Sequence, residues 1–186
     1  MRCFVAVPVS EDVRQAATQL QRELEQEGVR AKWVEGENLH LTLRFLGEIP
    51  ESQASCLGQQ LESLGEKMVP FWVQIGGLGT FPPRGRPRVI WAGVPAGAAE
   101  LEALAREVNR IAVQVGLPGE ERPWHAHLTL GRVKGACPRR ALETTAKRIL
   151  GRMLVQEMIL YQSVLRPTGP IYRALRCVAF RGNCSL

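Results

Sequence analysis

Apolar and polar positions along this chain fall into short runs whose period alternates between two and about 3.6 residues. Arg2 to Val9 is an apolar run with Phe and Val and predicts a strand. Ser10 is placed to cap a helix opening at Glu11 and Asp12, whose charges suit the positive helix end. Val13, Ala16, Ala17, Leu20 and Leu24 then share one helical face, and Gly28 stops it. Val29 to Val34 reads as a strand, followed by a polar turn at 35–38, and Leu39 to Leu46 as another strand. Ala54, Leu57, Leu61 and Leu64 mark a second helix. Phe71 to Ile75 is extended until Gly76-Gly77 breaks it, and residues 79–88 read as a loop. Val89 to Val94 predicts a strand. Leu101, Leu104, Val108, Ile111 and Val115 predict a third helix ended by Gly116. Trp124 to Leu130 alternates as a strand. Pro138 opens a fourth helix whose stripe is Leu142, Ala146, Ile149 and Met153. Met158 to Leu165 and Ile171 to Phe180 close the chain as strands, and the tail 181–186 reads as frayed.

Four helices interleave with seven or eight strands. This predicts an α+β fold with largely antiparallel pairing. With 186 residues, 45% hydrophobic and 23% charged, the chain is sized for one globular domain spanning 1–186. No apolar run approaches the roughly 18 residues of a membrane span. The opening run meets Ser10-Glu11-Asp12 too soon for a signal peptide, so a soluble cytoplasmic protein is expected. Cysteines stand at 3, 56, 137, 177 and 184, an odd number with no CxxC pair. That argues against a disulfide framework and a structural zinc site. No glycine-rich dinucleotide or Walker-type loop is present, and no cofactor is expected.

Charge is unevenly placed. Residues 1–83 carry 7 basic and 11 acidic side chains, residues 84–186 carry 17 and 7. A basic half points to a polyanionic partner, nucleic acid first. Arginine supplies 20 of the 24 basic residues and grips phosphate bidentately, although codon bias in a GC-rich genome gives the same excess.

The most informative feature is a repeat. His40-Leu41-Thr42-Leu43 recurs as His127-Leu128-Thr129-Leu130, 87 residues later. Two of the three histidines open these tetrapeptides. Strand alternation puts His40, Thr42 and Arg44 on one face and Leu41, Leu43 and Phe45 on the other. It likewise sets His127 and Thr129 against Leu128 and Leu130. Brought together by a pseudo-twofold fold, the strands would line one cleft with two His and two Thr. One imidazole can take a proton from an attacking oxygen while the other gives one to a leaving oxygen. The hydroxyls can donate to an anionic phosphoryl group. A lone His-x-Thr is weak evidence, since Thr favours strands anyway. Two copies in matching contexts reverse that.

Leu39 to Glu48 and His127 to Arg132 resemble the paired motifs of the 2H phosphoesterase superfamily. Met1 to Val7, the segment from Phe81-Pro82 through Pro87 to Trp91, and Ser163 to Tyr172 are similar to its RNA 2′,3′-cyclic phosphodiesterase branch, the 2′-5′ RNA ligase-like proteins. The resemblance spans essentially the whole chain. It implies a bilobal fold of two pseudo-symmetric antiparallel sheets backed by helices, with the cleft between. It also implies metal-independent opening of a 2′,3′-cyclic phosphate to a 2′-phosphomonoester. His40 and His127 match the catalytic histidines and Thr42 and Thr129 the phosphate-binding threonines. By the same analogy His40 protonates the leaving 3′ oxygen and His127 activates water. The reverse reaction, a 2′-5′ ligation, follows from microscopic reversibility. Ala126 departs from the proline that relatives often carry there.

Around the motif, His125 lies on the His127 face by alternation and either binds substrate or flanks the site. A His-x-His metal pair has no third ligand evident by spacing. Arg132 reaches the histidine face only if Gly131 allows a bulge; otherwise it is an ion-pair residue. Arg44 is placed beside His40, or pairs with a Glu. Phe45 is expected in the core, as are Cys3, Cys56 and Cys177. Arg84, Arg86 and Arg88 either contact RNA or form a solvated loop. Tyr161 or Trp124 either stacks a base or packs inside. The expected partner is RNA or a nucleotide ending in a 2′,3′-cyclic phosphate, with no membrane, and the expected state is monomeric. The rival readings are a non-catalytic RNA- or nucleotide-binding module using the same cleft, and an enzyme for another cyclic phosphate or a 2′-5′ oligonucleotide.

Overall fold

The computed structural model describes residues 1–120, 122–167 and 169–183. Among the described residues, nine strands and four helices follow in order. They are β1 (Arg2–Pro8), α1 (Glu11–Gln26), β2 (Ala31–Trp33), β3 (His40–Glu48), α2 (Glu51–Gly65), β4 (Phe71–Phe81), β5 (Val89–Ala96), α3 (Ala98–Gln114), β6 (His127–Val133), α4 (Arg139–Thr145), β7 (Ile149–Val155), β8 (Glu157–Arg166) and β9 (Gly169–Ala179). A 3-10 turn, Gly36–Asn38, leads into β3. The α+β expectation holds.

Strand pairing is antiparallel throughout, in the order β7-β4-β5-β6-β3-β1-β8-β9, with β2 on β6. Two four-stranded halves, β7-β4-β5-β6 and β3-β1-β8-β9, meet where Leu41 pairs with Leu128. The tetrapeptide strands β3 and β6 are thus the inner strands of their halves. Helices cross over. α1 leaves β1 of one half and packs on β7 and β6 of the other, while α3 leaves β5 and packs on β3. Each half therefore covers its partner.

Local signals explain the helix limits. The Ser10 hydroxyl accepts from the Val13 amide at 3.4 Å, capping α1 behind Glu11 and Asp12. Gly28 at φ 89° and Gly116 at φ 86° follow α1 and α3, a backbone conformation that only glycine adopts cheaply. The core lies between helices and sheet. Leu20, Leu24, Leu57, Leu61, Leu101, Leu104, Leu128 and Leu130 are fully buried in it. Each such side chain contributes about 1.5–3 kcal/mol of transfer free energy.

Several expectations are corrected. The fourth helix ends at Thr145, and residues from Ile149 belong to β7, which pairs with β4 from Phe71 to Gly76. Its Leu150, Met153 and Val155 are buried against that sheet, so tertiary pairing overrides a weak helical stripe. Gly76-Gly77 do not end β4. The strand absorbs them as register shifts and runs on to Phe81 through part of the expected loop. Cys56 and Cys177 are exposed and only Cys3 is buried as expected. Cys184 and the tail end at 184–186 lie outside the described residues, as does Thr168.

Candidate active site

The two tetrapeptides fold as copies of each other. Along β3 and β6 the burial sequence of the first six residues is the same. His and Thr are partly exposed, both leucines and the next residue are buried, and the sixth is exposed. The cause is a bulge at the same place in each copy. On β3, Val5 pairs with Arg44 and Ala6 with Thr42, so Leu43 is the extra residue. On β6, Ile90 pairs with Gly131 and Trp91 with Thr129, so Leu130 is the extra residue. Each bulge inverts the alternation beyond it.

That inversion decides four residues. Arg44 turns inward and is only 7% exposed. It is not beside His40. Its guanidinium binds the Glu120 carboxylate at 3.1 Å and donates to the Pro118 carbonyl. Arg44 thereby anchors the loop that precedes β6, and its expected place in the site is corrected. Phe45 turns outward at 65% exposure, against the expected core position, and lies 6.1 Å from Phe4 on the histidine side. Gly131 is buried under Trp33. Arg132 comes out on the His127 face, the position equivalent to Phe45.

The histidines are held alike. His40 Nδ1 lies 2.7 Å from the Asn38 carbonyl, and His127 Nδ1 lies 2.8 Å from the His125 carbonyl. A carbonyl oxygen only accepts, so each Nδ1 carries the proton and each Nε2 is left free. His125 contributes its carbonyl; its side chain is exposed. The antiparallel register through Leu41 and Leu128 sets His40 toward Thr129 and Thr42 toward His127.

Their surroundings differ. His40 sits among Phe4 at 4.9 Å, Tyr172 at 5.4 Å and Tyr161 at 6.5 Å between ring centres. Burial pushes its imidazole below the ordinary value, the bond to Asn38 opposes this, and the charge of His127 adds to the lowering. Burial holds the Tyr161 and Tyr172 hydroxyls above the usual phenol value, so both remain donors at neutral pH. The Arg132 and Arg2 charges act on Tyr172 in the opposite sense. His127 meets Phe81 edge-on at 5.4 Å and Trp91 at 6.3 Å. A pocket beside His40 is lined by Glu37, Asn38, Leu39, Tyr161, Ile171 and Tyr172. Trp124 donates its indole N–H to the Thr42 carbonyl at 3.1 Å, which ties it to β3. Among the described residues, no three His, Cys, Asp or Glu side chains converge as a metal-ligand set.

The sequence names Tyr161 as a stacking or core residue, but Phe4 and Tyr172 and the wall the three make around His40 are not visible in it. Phe4, Tyr161 and Tyr172 come from β1, β8 and β9, and only strand order brings them to His40. The carbonyls at Asn38 and His125 were visible in principle, since both stand two residues before a motif histidine.

The model of the LigT like Phosphoesterase family matches residues 7–91 and 93–172. An RNA 2′,3′-cyclic phosphodiesterase of Aeropyrum pernix is 41% identical over 152 residues, covering 80% of this chain and 85% of that one. One of Archaeoglobus fulgidus is 39% identical over 179 residues, covering 95% and 98%. A crystal structure of a Thermus thermophilus protein superposes with a TM-score of 0.83 at 33% identity, covering 98% of this chain and all of that one.

Proposed function

The chain belongs to the LigT-like phosphoesterase family, and on that footing we propose that it is an RNA 2′,3′-cyclic phosphodiesterase working by two-histidine acid–base chemistry. The name carried by its relatives supports the reaction class. The observation that carries the mechanism is the matched pair of Nδ1–carbonyl bonds, which leaves two free Nε2 atoms in one cleft.

In this reading His127 Nε2 takes a proton from water as the water oxygen bonds to phosphorus. The bond from phosphorus to the 3′ oxygen breaks, and the proton on His40 Nε2 passes to that oxygen. The product is a 2′-phosphomonoester with a free 3′-hydroxyl. Solvent then restores both imidazoles. Such proton transfers are worth about 10²–10⁴-fold each. Burial keeps His40 neutral in the free protein, and the bound phosphodiester anion favours its protonation, so substrate arms the acid. Thr42 and Thr129 donate to the non-bridging oxygens and Arg132 balances the charge that develops there. Phe45, exposed and backed by buried Phe4, offers a face for the terminal base. Both proton transfers are supplied by the chain itself, so the reading asks for no metal. Run backwards, the same steps close a 2′-phosphate on its 3′-hydroxyl and expel water; with a 5′-hydroxyl in the place of water, the forward steps form a 2′-5′ bond as the 3′ oxygen leaves.

The test is turnover of a nucleoside 2′,3′-cyclic phosphate in excess EDTA, with the product followed by phosphorus NMR. A 2′-phosphate is expected, lost in both His40→Ala and His127→Ala. A 3′-phosphate product, or activity that requires added metal, would overturn the mechanism. Binding without turnover would make the cleft a nucleotide-binding module.

A further inference from the structure

Beyond Arg132 the histidine face of β6 does not end. Lys32 of β2 stands directly opposite Arg132 in the pairing register. Directly opposed residues of an antiparallel pair project to the same side, so Lys32 joins Arg132 on the face that carries His127 and Thr129. Two residues further along each strand come Arg30 and Lys134. The Lys134 amide donates to the Arg30 carbonyl at 2.8 Å, which keeps these two side by side. All four side chains are exposed. Trp33, next to Lys32, packs against the other, buried side over Gly131, which confirms the direction of the lysine.

Four cations on two neighbouring strands repel one another, and like charges directly opposite are destabilising. Among the described residues none of the four is in an ion pair, although eight other arginines are. The row begins at the cleft and runs away from it. From Thr129 to Lys134 the chain covers at most about 17 Å at roughly 3.4 Å per residue. The start of β9, paired to β8 as a hairpin, flanks it. A side chain begun at Gly169 would come within 3.9 Å of Lys32 Nζ, and the Asn38 side chain ties that hairpin to the cleft by donating to the Pro170 carbonyl at 3.3 Å.

We propose that Arg132, Lys32, Lys134 and Arg30 form a lane for the phosphodiester backbone of a single-stranded RNA whose 3′ end lies between the histidines. This rests on the reaction proposed above and deepens it. The cyclic phosphate is a 3′-terminal group, so any further nucleotides leave the cleft on its 5′ side, and a continuous row of unpaired cations is the surface that charge complementarity assigns to them. A cyclic-ended oligonucleotide is then a better substrate than the free cyclic mononucleotide, which reaches the histidines but not the lane.

The experiment measures anisotropy of a labelled RNA oligonucleotide ending in a 2′-phosphate, against salt, for the unaltered protein and the Lys32→Gln/Lys134→Gln double variant. Each phosphate contact on a single strand contributes a slope of about 0.7 in log K against log salt. The double variant should lose about 1.4 of slope and bind about tenfold more weakly at low salt. A Lys67→Gln/Lys147→Gln variant has the same net charge with both changes at exposed sites elsewhere, and should bind as the unaltered protein does. The ratio of kcat/KM for a cyclic-ended oligonucleotide to that for the cyclic mononucleotide should fall in the lane variant. Equal slopes and affinities in the two double variants would overturn the lane. So would equal binding of a polyglutamate of matched charge, which would mark a general polyanion surface. Failure of the proposed reaction reads differently: no turnover of either substrate, with salt-dependent binding intact.

Discussion

Leu41 stands opposite Leu128 at the seam between the two halves of the sheet. Each leucine follows a motif histidine, and both are fully buried. The seam therefore crosses the two motifs, setting the histidine of one toward the threonine of the other. A cleft of this kind has two equivalent ends made from unlike surroundings, and the consequences can be measured.

The threonines should matter less than the histidines. Thr42→Val and Thr129→Val each remove one donor from the phosphoryl group and should lower kcat by about 10–10². Loss of either histidine should cost about 10²–10⁴. Steady-state kinetics on a cyclic mononucleotide separate the two classes. A threonine variant as inactive as a histidine variant would contradict the assigned roles.

His40 should titrate below its unfolded value of about 6.5. As pH falls, the unfolded chain takes up this proton first. The stability contributed by neutral His40 is thus present above about pH 6.5 and is lost as pH drops through its folded-state value. Three histidines make the test direct, because their imidazole C–H resonances can be followed one by one in an NMR titration. The His40 transition, below about 6.5, should vanish in His40→Asn and move up in Tyr172→Ala, which opens the aromatic wall.

Arg44→Met should act on stability more than on chemistry. It removes a buried guanidinium and leaves the Pro118 carbonyl and Glu120 without their partner. A cost of about 2–4 kcal/mol is expected in urea unfolding. Where the variant is still folded, kcat should stay within about tenfold of the unaltered protein. A loss as deep as that of His40→Ala, in folded protein, would return Arg44 to the substrate side.

Gly79→Ala should disturb His127 from a distance. Gly79 faces Trp91 across the β4–β5 pair, and a methyl group there would fall inside the indole ring. The ring must move, and Trp91 stands against both Phe81 and His127. Overpacking of this sort costs about 1–3 kcal/mol. Tryptophan fluorescence should shift and kcat should fall with little change in KM.

The order of residues was enough for the fold class, the histidine and threonine pairs and the side of each strand that holds the leucines. All of these depend on local alternation over four residues, which a single strand enforces without help. The helices α1 and α3 were legible for a similar reason, since their apolar stripes run for several turns between clear stops. Legibility failed where one extra residue reverses the count. The bulges at Leu43 and Leu130 sent Arg44 inward and Phe45 outward, and brought Arg132 to the His127 face. A bulge is set by the partner strand, which is distant in sequence. Only the folded sheet could enclose His40 between Phe4, Tyr161 and Tyr172, because strand order places β1, β8 and β9 side by side. It turned residues 149–155 from a helical stripe into an edge strand, because β4 offered an unpaired ladder of backbone donors and acceptors. Local chemistry follows from the order of residues; the environment that tunes it follows from which strands meet.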